Sequence, residues 1–131
     1  MAVKFLSVEL VRIIQADLVR RYGGKTGLRG PELLESAVVH PRMTVGGKPA
    51  YRTIFDKAAA YGFHLCRNHP FIDGNKRVAF VAMYILLQKN GWTLNAPEED
   101  AYSMMMELAG AKITRSELSA WLKKNSRRHN R

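Results

Sequence analysis

The chain has 131 residues, of which 47% are apolar, so it is long enough for one domain with a substantial core. Its net charge of +10 favours an acidic or polyanionic partner without identifying it. A single cysteine, Cys66, excludes an internal disulfide framework and a thiolate-rich metal site. We expect a cytoplasmic protein with no membrane partner, because no apolar run could span a bilayer and charges interrupt the N-terminal stretch where a signal peptide would be apolar.

The first half of the chain predicts two helices followed by a loop. Ser7 is a good N-cap for a helix over 8–22, and Pro31 suits the first turn of a short helix that ends near Val39. Residues 42–52 contain two glycines and a proline, which predict an irregular or hairpin-like surface loop. Such a loop is mobile enough to contact a partner.

The next two predicted helices flank a short polar stretch. Thr53 can cap a helix over 54–68, and a second helix begins near Asn75 and ends at Gly91. Apolar residues cover most of the circumference of the second helix, as expected for a helix that other helices surround. We therefore place this helix at the centre of the domain.

The last part of the chain predicts two further helices and a basic tail. Residues 98–108 have helical spacing, and Thr114 to Glu117 form a capping box that begins the final helix. The tail, 123–131, is predicted to be a solvated and frayed terminus, with nucleic-acid binding as the alternative. No repeat or linker interrupts the chain, so we predict one compact, nearly all-α domain over 1–131.

Residues 68–77, NHPFIDGNKR, place a histidine, an acid, a glycine and two cations directly before the most apolar segment. Gly74 and Asn75 would leave amide groups free at the N-terminus of the central helix, and such amides bind anions. Lys76 and Arg77 put positive charge in a first helical turn, where the helix dipole alone would favour acids. An anionic ligand such as a phosphate explains these two cations. Arg77 could bind it through two parallel hydrogen bonds, and Lys76 could supply a compact positive charge.

Asp73 and His69 add two reactive groups to this stretch. A carboxylate beside a phosphate site is explained by Mg²⁺, which is commonly bound by one carboxylate together with substrate phosphates. His69 could remove a proton from a hydroxyl that attacks phosphorus. A plainer interpretation stays open: a His-Pro turn, an Asp helix cap and surface cations. His40, His64 and His129 lack comparable neighbours in the sequence and are predicted to be structural or solvated.

The stretch HPFIDGNKR, residues 69–77, resembles the motif of the Fic family, H-P-F-x-[DE]-G-N-[GK]-R, followed by a helix. Lys76 stands where nucleotide-transferring members usually carry glycine, which is similar to the death-on-curing (Doc) branch. The resemblance extends from RYGG at 21–24 to YILLQKNG at 84–91 and covers nearly the whole chain. It implies a compact, all-α, Fic-like bundle in which the motif loop caps a central buried helix.

The resemblance also implies a role for each polar residue of the motif. His69 would be the general base, Asp73 the carboxylate that binds magnesium, and the remaining residues the cradle for the phosphates of ATP: Gly74, Asn75, Lys76 and Arg77. Arg67 matches a basic position of the Doc branch and is a further candidate for phosphate binding.

The loop at 42–52 corresponds to a flap that, in Fic proteins, aligns the target by pairing with it as an added strand. The resemblance therefore assigns this short hairpin-like flap to target binding, with contacts from Lys48, Tyr51 and Arg52. Pairing through the backbone would hold the acceptor hydroxyl beside His69.

Two differences from the nucleotide-transferring members favour phosphoryl transfer. Phe80 occupies the position of their second arginine, and Lys76 replaces their glycine. The resemblance then implies the toxin of a toxin–antitoxin pair, which moves the γ-phosphoryl group of ATP to a hydroxyl of a translation factor. Elongation factor Tu is the family's known target. The alternative is a Fic-type adenylyl- or nucleotidyltransferase, and a second alternative is a non-enzymatic nucleic-acid or ribosome-binding module.

The chain also lacks a complete copy of the inhibitory pattern [ST]-x-x-x-E-[GN] of many Fic enzymes. Ser103 and Glu107 match its first positions, but Leu108 does not match its last. Inhibition would then come from another chain, which in the Doc branch is an antitoxin with a disordered tail that folds on binding. A basic toxin surface would attract an acidic tail.

Overall fold

The structure is a computed structural model that describes residues 2–129. Six α-helices dominate this part of the chain: α1 (Val8–Tyr22), α2 (Pro31–Val39), α3 (Ile54–Asn68), α4 (Asn75–Lys89), α5 (Glu98–Ala109) and α6 (Arg115–Lys124). A 3₁₀ turn follows α2, and there are four short strands: β1 (Thr44–Val45), β2 (Lys48–Pro49), β3 (Trp92–Leu94) and β4 (Ser126–Arg128). The prediction of an all-α fold is confirmed.

The helix starts are fixed by side chains that the sequence identified. The Ser7 side chain accepts a hydrogen bond from the amide of Leu10 at the start of α1. Thr53 and Thr114 both form capping boxes, at the starts of α3 and α6. Each cap satisfies amides that would otherwise lack a partner in the first helical turn, and so fixes the residue at which the helix begins.

The core lies between α3 and α4, which pack directly against each other. Tyr61, Phe71 and Met83 are among its largest fully buried side chains. Gly62 of α3 permits this close approach, because a Cβ at its position would overlap the sulfur of Met83 in α4. The helix α4 also packs against α1 and β3, so its predicted central position is confirmed.

The sheet of β3 and β4 was not predicted. These antiparallel strands place Trp92 opposite Arg128, and they join the turn after α4 to the end of the described chain. The prediction of a frayed tail over 123–131 is therefore wrong for 123–124, which belong to α6, and for 126–128, which backbone pairing holds. Residues 130–131 lie outside the described part.

None of the helices between residues 2 and 129 combines the length and the apolarity that crossing a bilayer requires.

Candidate active site in the loop between α3 and α4

The motif loop, residues 69–74, connects the C-terminus of α3 to the N-terminus of α4. His69 follows the last residue of α3 and has a left-handed backbone conformation, with φ 53° and ψ 55°. Gly74 precedes α4 and is also left-handed, with φ 80°. Glycine adopts this conformation freely, whereas for other residues it costs roughly 1–2 kcal/mol. The surrounding structure must therefore hold His69 in place.

A second loop, residues 24–30, lies along the motif loop and is called the bracing loop here. The amide of Arg29 donates to the carbonyl of Pro70 at 2.7 Å, and the amide of Ile72 donates to the carbonyl of Gly27 at 3.0 Å. Between these bonds, Leu28 and Phe71 form an isolated antiparallel β-bridge. The bracing loop therefore supports the motif loop like a short neighbouring strand. No periodic pattern in the sequence indicates this pairing.

The side chain of Arg29 adds a second set of bonds to the same place. Its Nε donates to the carbonyl oxygen of His69 at 2.8 Å, and its Nη2 donates to the carbonyl oxygen of Asn68 at 2.9 Å. One guanidinium group therefore holds the two consecutive carbonyls at the end of α3.

The other end of the motif loop is tied to α1 and to the bracing loop. Gln15 of α1 is 2% exposed and donates from Nε2 to the carbonyls of Asp73 and Lys25, at 3.1 and 3.2 Å. The Oδ2 atom of Asp73 accepts a hydrogen bond from the amide of Lys25 at 2.9 Å. Asp73 is not the cap of α4, since Gly74 has that position. The helix-cap interpretation of Asp73 is wrong.

Asn75, which is 6% exposed, organises the interior of the motif loop. Its Oδ1 accepts from the amide of Phe71, and its Nδ2 donates to the carbonyl of Phe71, both at 2.9 Å. These two bonds fix the orientation of the side-chain amide, so Nδ2 must also be the donor to Nδ1 of His69, 2.9 Å away. The neutral ring of His69 therefore carries its proton on Nε2.

The N-terminus of α4 has the features of an anion site. No acceptor among residues 2–129 is bonded to the amides of Asn75, Lys76 and Arg77. A Cβ on Gly74 would meet nothing within 4 Å, so a ligand can approach the backbone there. Lys76 and Arg77 are exposed, and the guanidinium of Arg77 lies 4.5 Å from the ring centroid of Tyr22 at the end of α1. The predicted phosphate ligands other than Arg67 thus lie at one helix end.

Two positions beside this cradle were also singled out in the sequence. Arg67 is exposed on α3, with its guanidinium 5.1 Å above the ring of Phe63, one turn earlier. Phe80 is partly buried and packs against the hydrophobic core. A core contact therefore occupies the position where a second arginine would stand.

The residues of the site fit a magnesium ion that receives most of its ligands from a substrate. Between residues 2 and 129, no three His, Cys, Asp or Glu side chains are grouped to hold a metal ion. The Oδ2 atom of Asp73 accepts from the amide of Lys25, and this half-buried residue stands two positions before Asn75, the first residue of α4 with a free amide. One carboxylate beside a phosphate cradle is the usual protein contribution to a magnesium–nucleotide site.

The flap, residues 42–52, is the hairpin that the sequence predicted. Val45 pairs with Lys48 across a turn formed by Gly46 and Gly47, which have φ values of 58° and 80°. Both strands are exposed. The positive φ values at both turn residues are typical of a tight hairpin connection.

The predicted contacts of the flap divide into two groups. Lys48 and Arg52 are exposed, but Tyr51 is only 8% exposed. The hydroxyl of Tyr51 lies 3.0 Å from Nδ1 of His40, and Arg115 lies 4.7 Å above its ring. Tyr51 therefore anchors the base of the flap, and its predicted role as a side-chain contact to the target does not fit this position.

His40 and His64 form a stacked pair behind the flap, with ring centroids 3.8 Å apart. Burial lowers the pKa of His64 to about 4, and the positive charges of His40, Arg115 and Arg67 act in the same direction. The pair is part of the packing, as predicted from the sequence for these histidines.

Comparisons with known proteins identify the family of this chain. The family described as the Fic/DOC family matches residues 5–87, which include the bracing loop, the flap and the motif loop. "Toxin Doc" of Mycolicibacterium smegmatis is 42% identical over 90 residues, which cover 67% of this chain and 69% of that protein. "Protein kinase doc" of Escherichia phage P1 is 33% identical over 86 residues, covering 63% of this chain and 64% of that protein. The chain therefore belongs to the Fic/DOC family.

Proposed function

We propose that this protein is the toxin of a toxin–antitoxin pair and that it transfers the γ-phosphoryl group of ATP to a hydroxyl of a translation factor. One observation carries the proposal: the free amides of α4 and the cations Lys76 and Arg77 lie beside a histidine ring that Asn75 fixes. The printed names of the two relatives, a toxin and a protein kinase, support the same conclusion.

The phosphates of ATP bind at the N-terminus of α4 in this proposal. The amides from Asn75 onward donate hydrogen bonds to phosphate oxygens, Arg77 supplies a forked guanidinium, and Lys76 supplies a point charge. Asp73 would hold a magnesium ion, and that ion would neutralise charge on the phosphates. Since Lys25 already orients the Asp73 carboxylate, this ligand is positioned before the nucleotide arrives.

His69 acts on the acceptor. The hydroxyl oxygen forms a bond to the γ-phosphorus, the bond from that phosphorus to the bridging oxygen of ADP breaks, and the hydroxyl proton passes to the His69 ring. In the free protein Nδ1 accepts from Asn75, so the proton-accepting form of Nε2 requires the other tautomer. The proposed reaction therefore requires the ring to exchange its contact with Asn75 when the acceptor binds. Until then, that contact holds the ring beside the N-terminus of α4.

Nucleotidyl transfer, which breaks the bond at the α-phosphate, is the alternative within the same family. Two features argue against it. Lys76 adds a cation to the cradle, and the aromatic side chain of Phe80 packs against the core where a second arginine would be needed. Without that arginine, the chain lacks the γ-phosphate partner that the resemblance assigns to nucleotide-transferring members, which argues against adenylyl transfer.

The flap supplies the contact with the protein target. Its exposed strands β1 and β2 can pair with an extended segment of the target through backbone hydrogen bonds. Elongation factor Tu is the target that the family resemblance implies. The proposed antitoxin binds through a tail that folds on binding, and the net charge of +10 favours an acidic tail.

The decisive experiment uses ATP labelled separately at the α- and γ-phosphates, incubated with the protein, magnesium and purified elongation factor Tu or a translation extract. Label transferred from the γ-phosphate supports the proposal. Label transferred from the α-phosphate supports the nucleotidyltransferase. If neither label enters a protein while the chain still inhibits translation, the proposed reaction is rejected and the non-enzymatic binding module becomes the better explanation.

A further inference from the structure

The C-terminus of α3 ends in an unusual way. A helix that ends in a left-handed residue most often has glycine there, because a Cβ makes this conformation costly. In this chain the left-handed residue is His69, the proposed catalytic histidine, with φ 53°. The only other positive φ outside glycine, among the described residues, is at Ala111. The strained backbone conformation therefore belongs to the residue with the reactive side chain, and contacts from the surrounding structure must stabilise it.

The bracing loop supplies this stabilisation through Arg29. Its guanidinium bonds to the carbonyls of Asn68 and His69, and its own amide bonds to the carbonyl of Pro70. One residue therefore satisfies three consecutive carbonyls across the point at which the chain leaves the helix. The planar, forked guanidinium is suited to two such acceptors at fixed spacing, whereas an ammonium group is not.

The ring of His69 is held from the opposite side. Asn75 donates to Nδ1 of the ring, and Asn75 itself is fixed by the backbone of Phe71. The backbone of His69 is thus fixed by Arg29 and its side chain by Asn75. The position of the ring depends on the backbone of His69 as well as on χ1. Since Arg29 bonds to the carbonyl of His69, we expect a change at Arg29 to alter the bond between the ring and Asn75.

We propose that Arg29 is a positioning residue: its two side-chain bonds keep His69 in the left-handed conformation from which the imidazole reaches the bond to Asn75 and faces the phosphate cradle. The kinetic part of this inference rests on the proposed function, whereas the structural part does not. Arg29 touches neither phosphate nor acceptor in this scheme, and it acts entirely through the backbone of His69.

A simpler role must be separated from this one. A positive charge near the C-terminus of α3 also stabilises that helix through its dipole. Lysine keeps the charge but loses the fork, so Arg29→Lys distinguishes the two roles. Arg29→Met removes both the charge and the donors while keeping an unbranched side chain. Arg12→Met serves as the matched control, because Arg12 is an exposed arginine on α1.

The first measurement is NMR of the histidine rings in ¹⁵N-histidine-labelled protein without any substrate. The chain has four histidines, and His69→Gln identifies the His69 signals. We expect Arg29→Lys and Arg29→Met to shift the Nδ1 resonance of His69 towards that of a ring free in solvent, while Arg12→Met leaves it unchanged. An unchanged His69 resonance in both Arg29 variants would overturn the inference, whatever reaction the protein catalyses.

The second measurement is the transfer rate together with the midpoint of urea unfolding. Arg29→Lys should unfold near the parent midpoint but lower kcat about 100-fold, the cost of a misplacement of roughly 1 Å, with little change in KM for ATP. A parental kcat in Arg29→Lys would show that only charge matters and reject the positioning role. If the parent itself transfers no phosphate, the proposed function fails, and the NMR comparison alone decides the role of Arg29.

Discussion

The motif loop and the flap are both short connections of the site, but the structure holds them in opposite ways. The motif loop receives bonds from three directions: Arg29 on one side, Gln15 on another, and Asn75 from within. The flap is held at its base, where Lys57 donates to the carbonyls of Tyr51 and Arg52, while its strands stay exposed. The two loops therefore differ in how much of their backbone is already paired.

This difference matches the two tasks of a group-transfer site. A reactive loop must keep its groups within a fraction of an ångström of one geometry, which requires that its polar atoms already have partners. A surface that binds an extended segment needs free amides and carbonyls along one edge, so an outer edge of the hairpin must stay unpaired until the partner arrives. Substitutions in the motif loop should therefore affect chemistry, and substitutions in the flap should affect target binding.

The largest effect is expected for His69→Ala. Loss of the general base should lower the transfer rate by about 10²–10⁴-fold. The fold should survive, because the side chain of His69 is exposed. Phosphorylation assays and growth of cells that express each form measure the change. Equal toxicity of the variant and the parent would remove His69 from the reaction.

Asn75→Ala should disturb both the chemistry and the stability of the motif loop. The amide and the carbonyl of Phe71 would lose their partners in a buried place, which costs about 1–3 kcal/mol in the free energy of unfolding. The ring of His69 would also lose its fixed position, so transfer should fall further than stability explains. Urea unfolding and transfer rates, measured on the same preparation, separate the two losses. A variant with parental stability would contradict the bonding described for Asn75.

Asp73→Asn tests the proposed magnesium ligand. Asparagine keeps an oxygen that can accept from the amide of Lys25, so the loop should stay folded, but the negative charge is lost. The magnesium concentration that gives half-maximal transfer should rise at least about tenfold. Even residues that only hydrogen-bond to a metal ligand contribute about that much to metal affinity, and a direct ligand should contribute no less. Unchanged magnesium dependence would mean that Asp73 serves only to hold the bracing loop.

Substitutions in the flap should weaken binding of the protein target and leave nucleotide binding unchanged. Replacing residues 45–48 with glycine and serine, while leaving the anchor Tyr51 in place, should lower transfer to the protein target about tenfold, equivalent to roughly 1.4 kcal/mol. Binding of ATP should not change, which can be measured with a fluorescent nucleotide. Parental transfer in this variant would place the target-binding surface elsewhere.

The smallest effect concerns the pH dependence of the flap base. The pKa of His64 is about 4 in the folded protein, against an ordinary value of 6.5, so the unfolded chain binds a proton first as the pH falls. Stability should therefore decrease from about pH 6.5 down to about pH 4. A fully effective shift would cost about 1.36 kcal/mol of unfolding free energy for each pKa unit. Because the ring is partly exposed, we expect a smaller total loss, of about 2 kcal/mol.

His64→Phe keeps a ring of similar size and removes the titration. The difference in unfolding free energy between about pH 7 and about pH 4 should then be smaller in the variant than in the parent. Since carboxylates titrate in the same range in both proteins, only the difference between the two pH profiles is informative. Identical profiles would contradict the lowered pKa of His64.

The sequence by itself determined the helices, their caps and the candidate chemistry of the motif. Helix boundaries depend on residues close in the chain, such as Ser7 and Thr53 at the caps and Gly74 before α4, so local patterns were sufficient. The same holds for the flap, whose turn needs two glycines with positive φ. The anion cradle was also predictable, because it is one helix N-terminus.

The tertiary structure decided which distant residues support that chemistry. Arg29 meets His69 across 40 positions of the chain, and Gln15 meets Asp73 across 58. The pairing of β3 with β4 and the burial of Tyr51 have the same origin. No local pattern marks such contacts, because an arginine that clamps two carbonyls looks in the sequence like any exposed arginine. They exist only once the packing of α1 and α2 against α3 and α4 has brought the loops together. This packing gives the reactive residues of the motif a fixed geometry.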